Sequence, residues 1–389
     1  MADPSRLHDR QIVLVQALRA IAATMVVAGH AAGSATRLAE TAGSQFTLPR
    51  FAGGAGVDLF FVISGFIMVY ASEPLFGRQG VGREFLRRRL IRIVPLYWAC
   101  TTLFIVTLVF GSHGAAGLTP GSIAASYGFV PYDTSGHRSG AIFPIFDLGW
   151  TLNYEMLFYV IFAAAIGLSR NRAAAASTTA ICGLVVLGLL LRPDATALRF
   201  WTAPIVLEFA LGLGLALLRR RAMVLPLAVR IGIALAALAV LAADPGGLVG
   251  AAGLTNANDL SRVLWWGLPT ACILGAATLG PDLRDGPVAR AFAHLGDASY
   301  SLYLTHPFVL IAMMKAWSIG SLGPALGFGP FVVAAIGTAI LVAFASFRLF
   351  EKPIYTALRQ VGRDRASSTR KADDSTTSAV TERERPSKL

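Results

Sequence analysis

Long apolar runs alternate with short polar breaks along most of the chain. Runs approaching the roughly 20 residues that a helix needs to cross a hydrocarbon core fall at 11–32, 55–72, 93–111, 147–168, 176–192, 200–218, 224–243, 262–280, 299–319 and 328–350. The pattern predicts an all-α, polytopic membrane bundle of about ten transmembrane helices. The runs at 147–168 and 299–319 are the least apolar, which fits helices that line a cavity. Residues 1–361 read as one membrane domain. Residues 362–389 are rich in Ser, Thr, Arg, Glu and Asp and read as a disordered cytoplasmic tail.

Composition sharpens this picture. The 389 residues are 55% hydrophobic and only 14% charged, with a mean hydropathy of +0.61, whereas soluble domains carry roughly a quarter charged residues. A net charge of +12 would fit a nucleic-acid binder, but the arginines sit between apolar runs and no aromatic-plus-basic groove motif is present. Placing the N-terminus inside puts 16 arginines in cytoplasmic connections, from Arg6 and Arg10 to Arg284 and Arg290, against 6 outside (Arg37, Arg50, Arg138, Arg192, Arg199, Arg262). This bias orients both termini to the cytoplasm. The first run resembles a secretion signal, but Arg19 interrupts it and many runs follow, so it reads as an uncleaved helix. Cys100, Cys182 and Cys272 lie in apolar stretches without a paired spacing, and the histidines show no metal-ligand spacing, so no metal site is expected.

The polar residues inside apolar runs carry the chemistry, because an ionisable group at membrane depth is expensive and marks function. Arg19 and His30 are 11 residues apart on one helix face, about 16 Å along the axis. Asp58 enters the second run, with Ser64 two turns deeper, where small residues also fit plain helix packing. Arg88, Arg89 and Arg92 open the third run, and guanidinium forks suit phosphates. Trp150, Asn153 and Glu155 lie in the fourth run, with Glu208 a weaker candidate in the sixth. Tyr300, Tyr303 and His306 lie on adjacent faces of the ninth, beside Pro307, where the helix is expected to bend. No nucleophile elbow or P-loop is present.

Six pieces in register resemble the integral-membrane acyltransferase 3 family: Arg19-x10-His30, "GVDLFFVISGF", the Arg88–Arg89–x–x–Arg92–x–x–Pro95 run, "WTLNYE", "SYSLYLTHP" and the closing "FEKP". They cover residues 14 to 353, and two of them look most like the exopolysaccharide O-acetyltransferases of that family. "QALRAIAA" departs from the usual pattern, with Gln16 and Ala17 where an acidic or glycine-containing version is common. The resemblance implies ten transmembrane helices and transfer of an acyl group, usually acetyl from acetyl-CoA, to a hydroxyl of an exported glycan or lipid-linked sugar. It implies a multi-pass protein of the bacterial inner membrane, in contact with lipid and with polysaccharide-assembly proteins, and holding no permanently bound cofactor.

These readings combine into an expected mechanism. Arg88, Arg89 and Arg92 bind the donor's phosphates at the cytosolic side. The pantetheine arm passes Arg19, and His30 acts as general base or, as an alternative, carries the acyl group. Glu155 or Asp58 orients His30, with Glu155 favoured. Ser64, Trp150, Asn153, Tyr300, Tyr303 and His306 line the site. The rival expectation is a transporter of a sugar or lipid-linked intermediate, since the same residues fit a substrate path. No paired halves with broken helices support it.

Overall fold

The structure is a computed structural model that describes residues 4–360, apart from 50, 111–117, 133–141, 250–258, 282–285 and 321. The expected tail at 362–389 lies outside the described residues, as do Arg50, Arg138 and Arg284 of the charge count. Among the described residues there are helices and no strands. In chain order they are α1 (Pro4–Thr41), α2 (Ala55–Ala71), α3 (Val81–Phe110), α4 (Pro120–Tyr127), α5 (Gly149–Ala165), α6 (Arg170–Leu191), α7 (Thr196–Trp201) and α8 (Leu207–Arg220). Then come α9 (Leu227–Ala243), α10 (Leu260–Arg262), α11 (Leu268–Thr278), α12 (Pro287–Asp297), α13 (Ser299–Ile319), α14 (Leu322–Leu326) and α15 (Gly329–Ser346). Single π turns join α10 to α11 (Val263–Gly267) and extend α15 (Phe347–Glu351).

Each apolar run of the sequence contains helix, the run at 200–218 being broken at Thr202 and Ala203, and six helical stretches are long and apolar enough to cross a membrane: Val13–Thr41, Val81–Phe110, Arg170–Leu191, Leu260–Thr278, Ser299–Ile319 and Gly329–Gln360. α2 and α9 are apolar but have 17 residues each, about 26 Å of helix against a core of about 30 Å. Pro307 does not break α13, which runs on to Ile319. The outward faces of α6, α9 and α15 show Leu190, Leu235, Val333 and Leu341 largely exposed. Bare leucine on a surface is the mark of a lipid-facing helix.

α2 sits at the centre. It is apolar all round, and 12 of its 17 residues are buried, as expected of a helix with neighbours on every side. It packs against α1, α8 and α11. The α2–α8 crossing is unusually close: a Cβ added to Gly65 would stand 2.1 Å from the Phe209 carbonyl oxygen, and one on Gly212 would stand 2.0 Å from that of Val62. Only glycine lets the backbones meet like this. Beside the crossing, Phe61 and Phe158 pack on Phe209 with ring centroids 4.7 and 4.5 Å away. This tight layer fixes the height of Ser64 and Asp58 relative to their neighbours.

Candidate active site

Two cavities meet beside α2. The smaller, of about 100 Å³, is lined by Arg19, Ser64, Arg89, Arg92, Glu155, Tyr159, Tyr300 and Tyr303 among others. Its residues come from α1, α2, α3, α5 and α13, so the fold collects polar groups that the sequence scatters over nearly 300 positions. Arg19 is 8% exposed. Its Nη1 donates to Gln16 Oε1 at 2.8 Å, and Gln16 Nε2 donates to Asp297 Oδ1 at 2.6 Å. The two residues that depart from the resembled pattern thus include a bridge: Gln16 links the arginine to an acid on α12. Glu155 accepts from Tyr159 Oη, four residues on, and from Ser64 Oγ at 3.3 Å. The Arg89 guanidinium lies over the rings of Phe85 and Tyr159. Among the described residues none of the three cavity arginines has a carboxylate within 4.0 Å. The wall therefore carries an excess of positive charge over the single Glu155.

Arg88, the neighbour of Arg89, is not part of this cavity. It is solvent-exposed and ion-paired with Glu84 one turn earlier. A helix puts adjacent residues about 100° apart, so only one of the two can face inward.

The larger cavity, of about 820 Å³, is lined by His30, Arg37, Phe146, Trp150, Arg262, Trp266 and Tyr303, with further apolar groups. Val57 and Tyr303 border both cavities. Tyr303 is held by its hydroxyl, 3.1 Å from Thr151 Oγ1. His30 is exposed to the cavity, and its Nδ1 lies 2.8 Å from His306 Nε2. Tyr300 and Tyr303 face the smaller cavity, while His306, fully buried, reaches the other way.

The expectation that Asp58 or Glu155 orients His30 does not match this geometry. Asp58 is 0% exposed and bound through both oxygens to Arg262, at 2.9 Å from Nε and 2.9 Å from Nη2. Glu155 is engaged by Tyr159 and Ser64 in the other cavity. The charge distribution places Arg262 in an outer connection. It is instead 0% exposed, sandwiched between Trp150 and Trp266 and next to the buried Glu208. A long side chain at the edge of an apolar run can turn inward when a carboxylate waits there. Arg230, one of the 16 arginines that the charge distribution places in cytoplasmic connections, is likewise buried and donates to the Ala276 carbonyl. Asn153 is 1% exposed, lines neither cavity, and both its amide atoms lack a hydrogen-bond partner.

A helical body with apolar, membrane-length helices, and with a hydrogen-bonded histidine pair beside an arginine-lined cavity, fits a multi-pass membrane protein. The chain belongs to the acyltransferase family described as "Acyltransferase domain", whose model matches residues 13–348; it is an acyltransferase moving groups other than amino-acyl groups. It is similar to the exopolysaccharide production protein ExoZ of Rhizobium meliloti (strain 1021), 35% identical over 322 residues, covering 81% of this chain and 92% of that protein. It is also similar to the putative peptidoglycan O-acetyltransferase YrhL of Bacillus subtilis (strain 168), 28% identical over 78% of this chain and 51% of that protein. A third relative is the acyltransferase MdmB of Streptomyces mycarofaciens, 26% identical over 90% of this chain and 93% of that protein. No solved structure matches.

Proposed function

We propose that this acyltransferase moves acetyl from cytosolic acetyl-CoA to a hydroxyl of an exported or surface polysaccharide, or of its lipid-linked precursor, in the bacterial inner membrane. About ten helices span the membrane, with both termini cytoplasmic. The carrying observation is the meeting of two unlike cavities at Val57 and Tyr303, one lined by arginines and one containing His30. The names of ExoZ and YrhL support a glycan acceptor.

The residues divide the work by charge and room. Arg89 and Arg92 attract the anionic donor, and Arg19 holds the polar end of its arm. At about 100 Å³ the smaller cavity has room for the acyl end of the donor and not for its nucleotide, since whole small-molecule sites run to several hundred Å³. The nucleotide therefore stays at the cytosolic mouth. Glu155, held by Tyr159 and Ser64, offsets part of the arginines' mutual repulsion. The larger cavity accepts the sugar against Phe146, Trp150 and Trp266. His30 takes the proton of the attacking hydroxyl as that oxygen bonds the acyl carbon, the C–S bond breaks, and the thiolate recovers the proton.

The test is mass spectrometry of the cell's polysaccharides in a deletion strain complemented with wild type or His30→Ala, with membrane levels checked by immunoblot. The expected result is loss of one acetyl increment in the deletion and in the mutant. Full acetylation with His30→Ala at normal levels would sink the assignment of the base. A glycan absent from the surface altogether would point to transport.

A further inference from the structure

The hydrogen bond between His30 and His306 has a direction that a third atom fixes. At 2.8 Å, Nδ1 of His30 and Nε2 of His306 share one proton, because two lone pairs or two N–H groups facing each other repel. His306 Nδ1 lies 3.2 Å from the carbonyl oxygen of Leu302, one turn back on α13. A carbonyl offers no proton, so His306 Nδ1 carries the hydrogen. In a neutral ring its Nε2 is then a bare acceptor, and the proton between the rings belongs to His30 Nδ1. His30 Nε2 is left with a free lone pair. The tautomers are assigned from this network, as they are wherever hydrogens are placed by their partners.

Burial makes the arrangement one-sided. His306 is 0% exposed and fixed on α13, whereas His30 opens onto the larger cavity. The rings lie 5.1 Å apart at 26°, so His306 also limits how the His30 ring can turn. Both carboxylates that could have filled this place are committed elsewhere, Asp58 to Arg262 and Glu155 to Tyr159 and Ser64.

We propose that His306 is the positioning residue of this enzyme: it holds His30 as the Nδ1–H tautomer and leaves Nε2 as the base. This rests on His30 being the base of the acyl transfer. During turnover the hydroxyl proton passes to His30 Nε2, the new C–O bond forms, the C–S bond breaks, and Nε2 returns the proton to the thiolate. His306 keeps its own proton throughout. A neutral acceptor in place of the carboxylate of a Ser-His-Asp triad adds no charge to the cavity wall.

The experiment compares His306→Gln with His306→Leu in membranes that contain the endogenous acceptor, following radiolabelled acetyl from acetyl-CoA into glycan. Glutamine places a carbonyl oxygen near the position of His306 Nε2 and can still accept from His30. The expected result is His306→Gln within about 10-fold of wild type and His306→Leu down by about 10²–10⁴ in kcat, with KM for acetyl-CoA unchanged. A merely structural histidine would lower the amount of protein, not kcat at constant KM, and glutamine would not rescue it. Nitrogen NMR of histidine-labelled protein in nanodiscs reads the tautomer without turnover. The His30 proton on Nδ1 supports the proposal, and a proton on Nε2 overturns it; this spectrum decides if both variants prove inactive. Wild-type kcat in His306→Leu also overturns it. Acyl transfer surviving in His30→Ala would instead remove the reading beneath, whatever the spectrum shows.

Discussion

Arg88 and Arg89 are neighbours in sequence and opposites in environment. Arg89 lines the smaller cavity over two aromatic rings, and Arg88 pairs with Glu84 in solvent. Exposed ion pairs contribute little, whereas an unpaired cavity arginine is available to an anion. Arg89→Ala should raise KM for acetyl-CoA about 10- to 100-fold, the worth of about one charged hydrogen bond, while Arg88→Ala stays within about 2-fold; steady-state transfer assays in membranes check both. Arg262 gives the second residue-scale prediction. Removing it strands Asp58 beside Glu208, both 0% exposed. Arg262→Met should destabilise the protein by about 3–5 kcal/mol, the usual result of breaking a buried pair, and Arg262→Met/Asp58→Leu should recover much of that loss. Thermal unfolding in detergent measures both.

At this scale the sequence was legible where a charge interrupted an apolar run, as with Arg19, His30, Asp58 and Glu155. It was not legible where meaning lies in a pairing. His30 and His306 are 276 positions apart, and Asp58 and Arg262 are 204 apart. Spacing within a helix tells which residues share a face, but nothing about which face meets it. Tyr159 left no signal, being one aromatic among many in an apolar span. Glu351 of "FEKP" accepts from Ser301 Oγ at 2.6 Å, a partner 50 positions away that the motif itself does not name.

Among elements, the helices followed the hydropathy, but their ends did not. α1 runs to Thr41, well past the apolar limit at residue 32, because hydropathy senses lipid contact while helix formation continues through polar residues. The α2–α8 crossing is the element most sensitive to change. Gly65→Val forces a side chain into the Phe209 carbonyl, so the helices must separate. The protein should fail to accumulate as a single species in size-exclusion chromatography, or lose its sharp melting transition in thermal unfolding in detergent. Ser64→Ala, one position earlier, removes only one long hydrogen bond to Glu155 and should leave the melting transition in place.

For the whole molecule, the uneven arginine distribution predicts which side each loop faces. In a background with Cys100, Cys182 and Cys272 replaced by alanine, Ser44→Cys should react with a membrane-impermeant thiol reagent on intact cells, and Gln79→Cys only after lysis. The reverse pattern would invert the donor and acceptor cavities and overturn the mechanism above.

The thin wall at Val57 and Tyr303 has an electrical consequence. In the proposed arrangement, where the two cavities fill with water from opposite sides of the membrane, most of the membrane voltage falls across these two side chains rather than across a full bilayer thickness. Any charge crossing there meets nearly the whole potential, about 2.3 kcal/mol per 100 mV, while an uncharged acyl group meets none. In the proposed reaction the same narrow septum passes the group being transferred and still keeps the cell from leaking protons and ions.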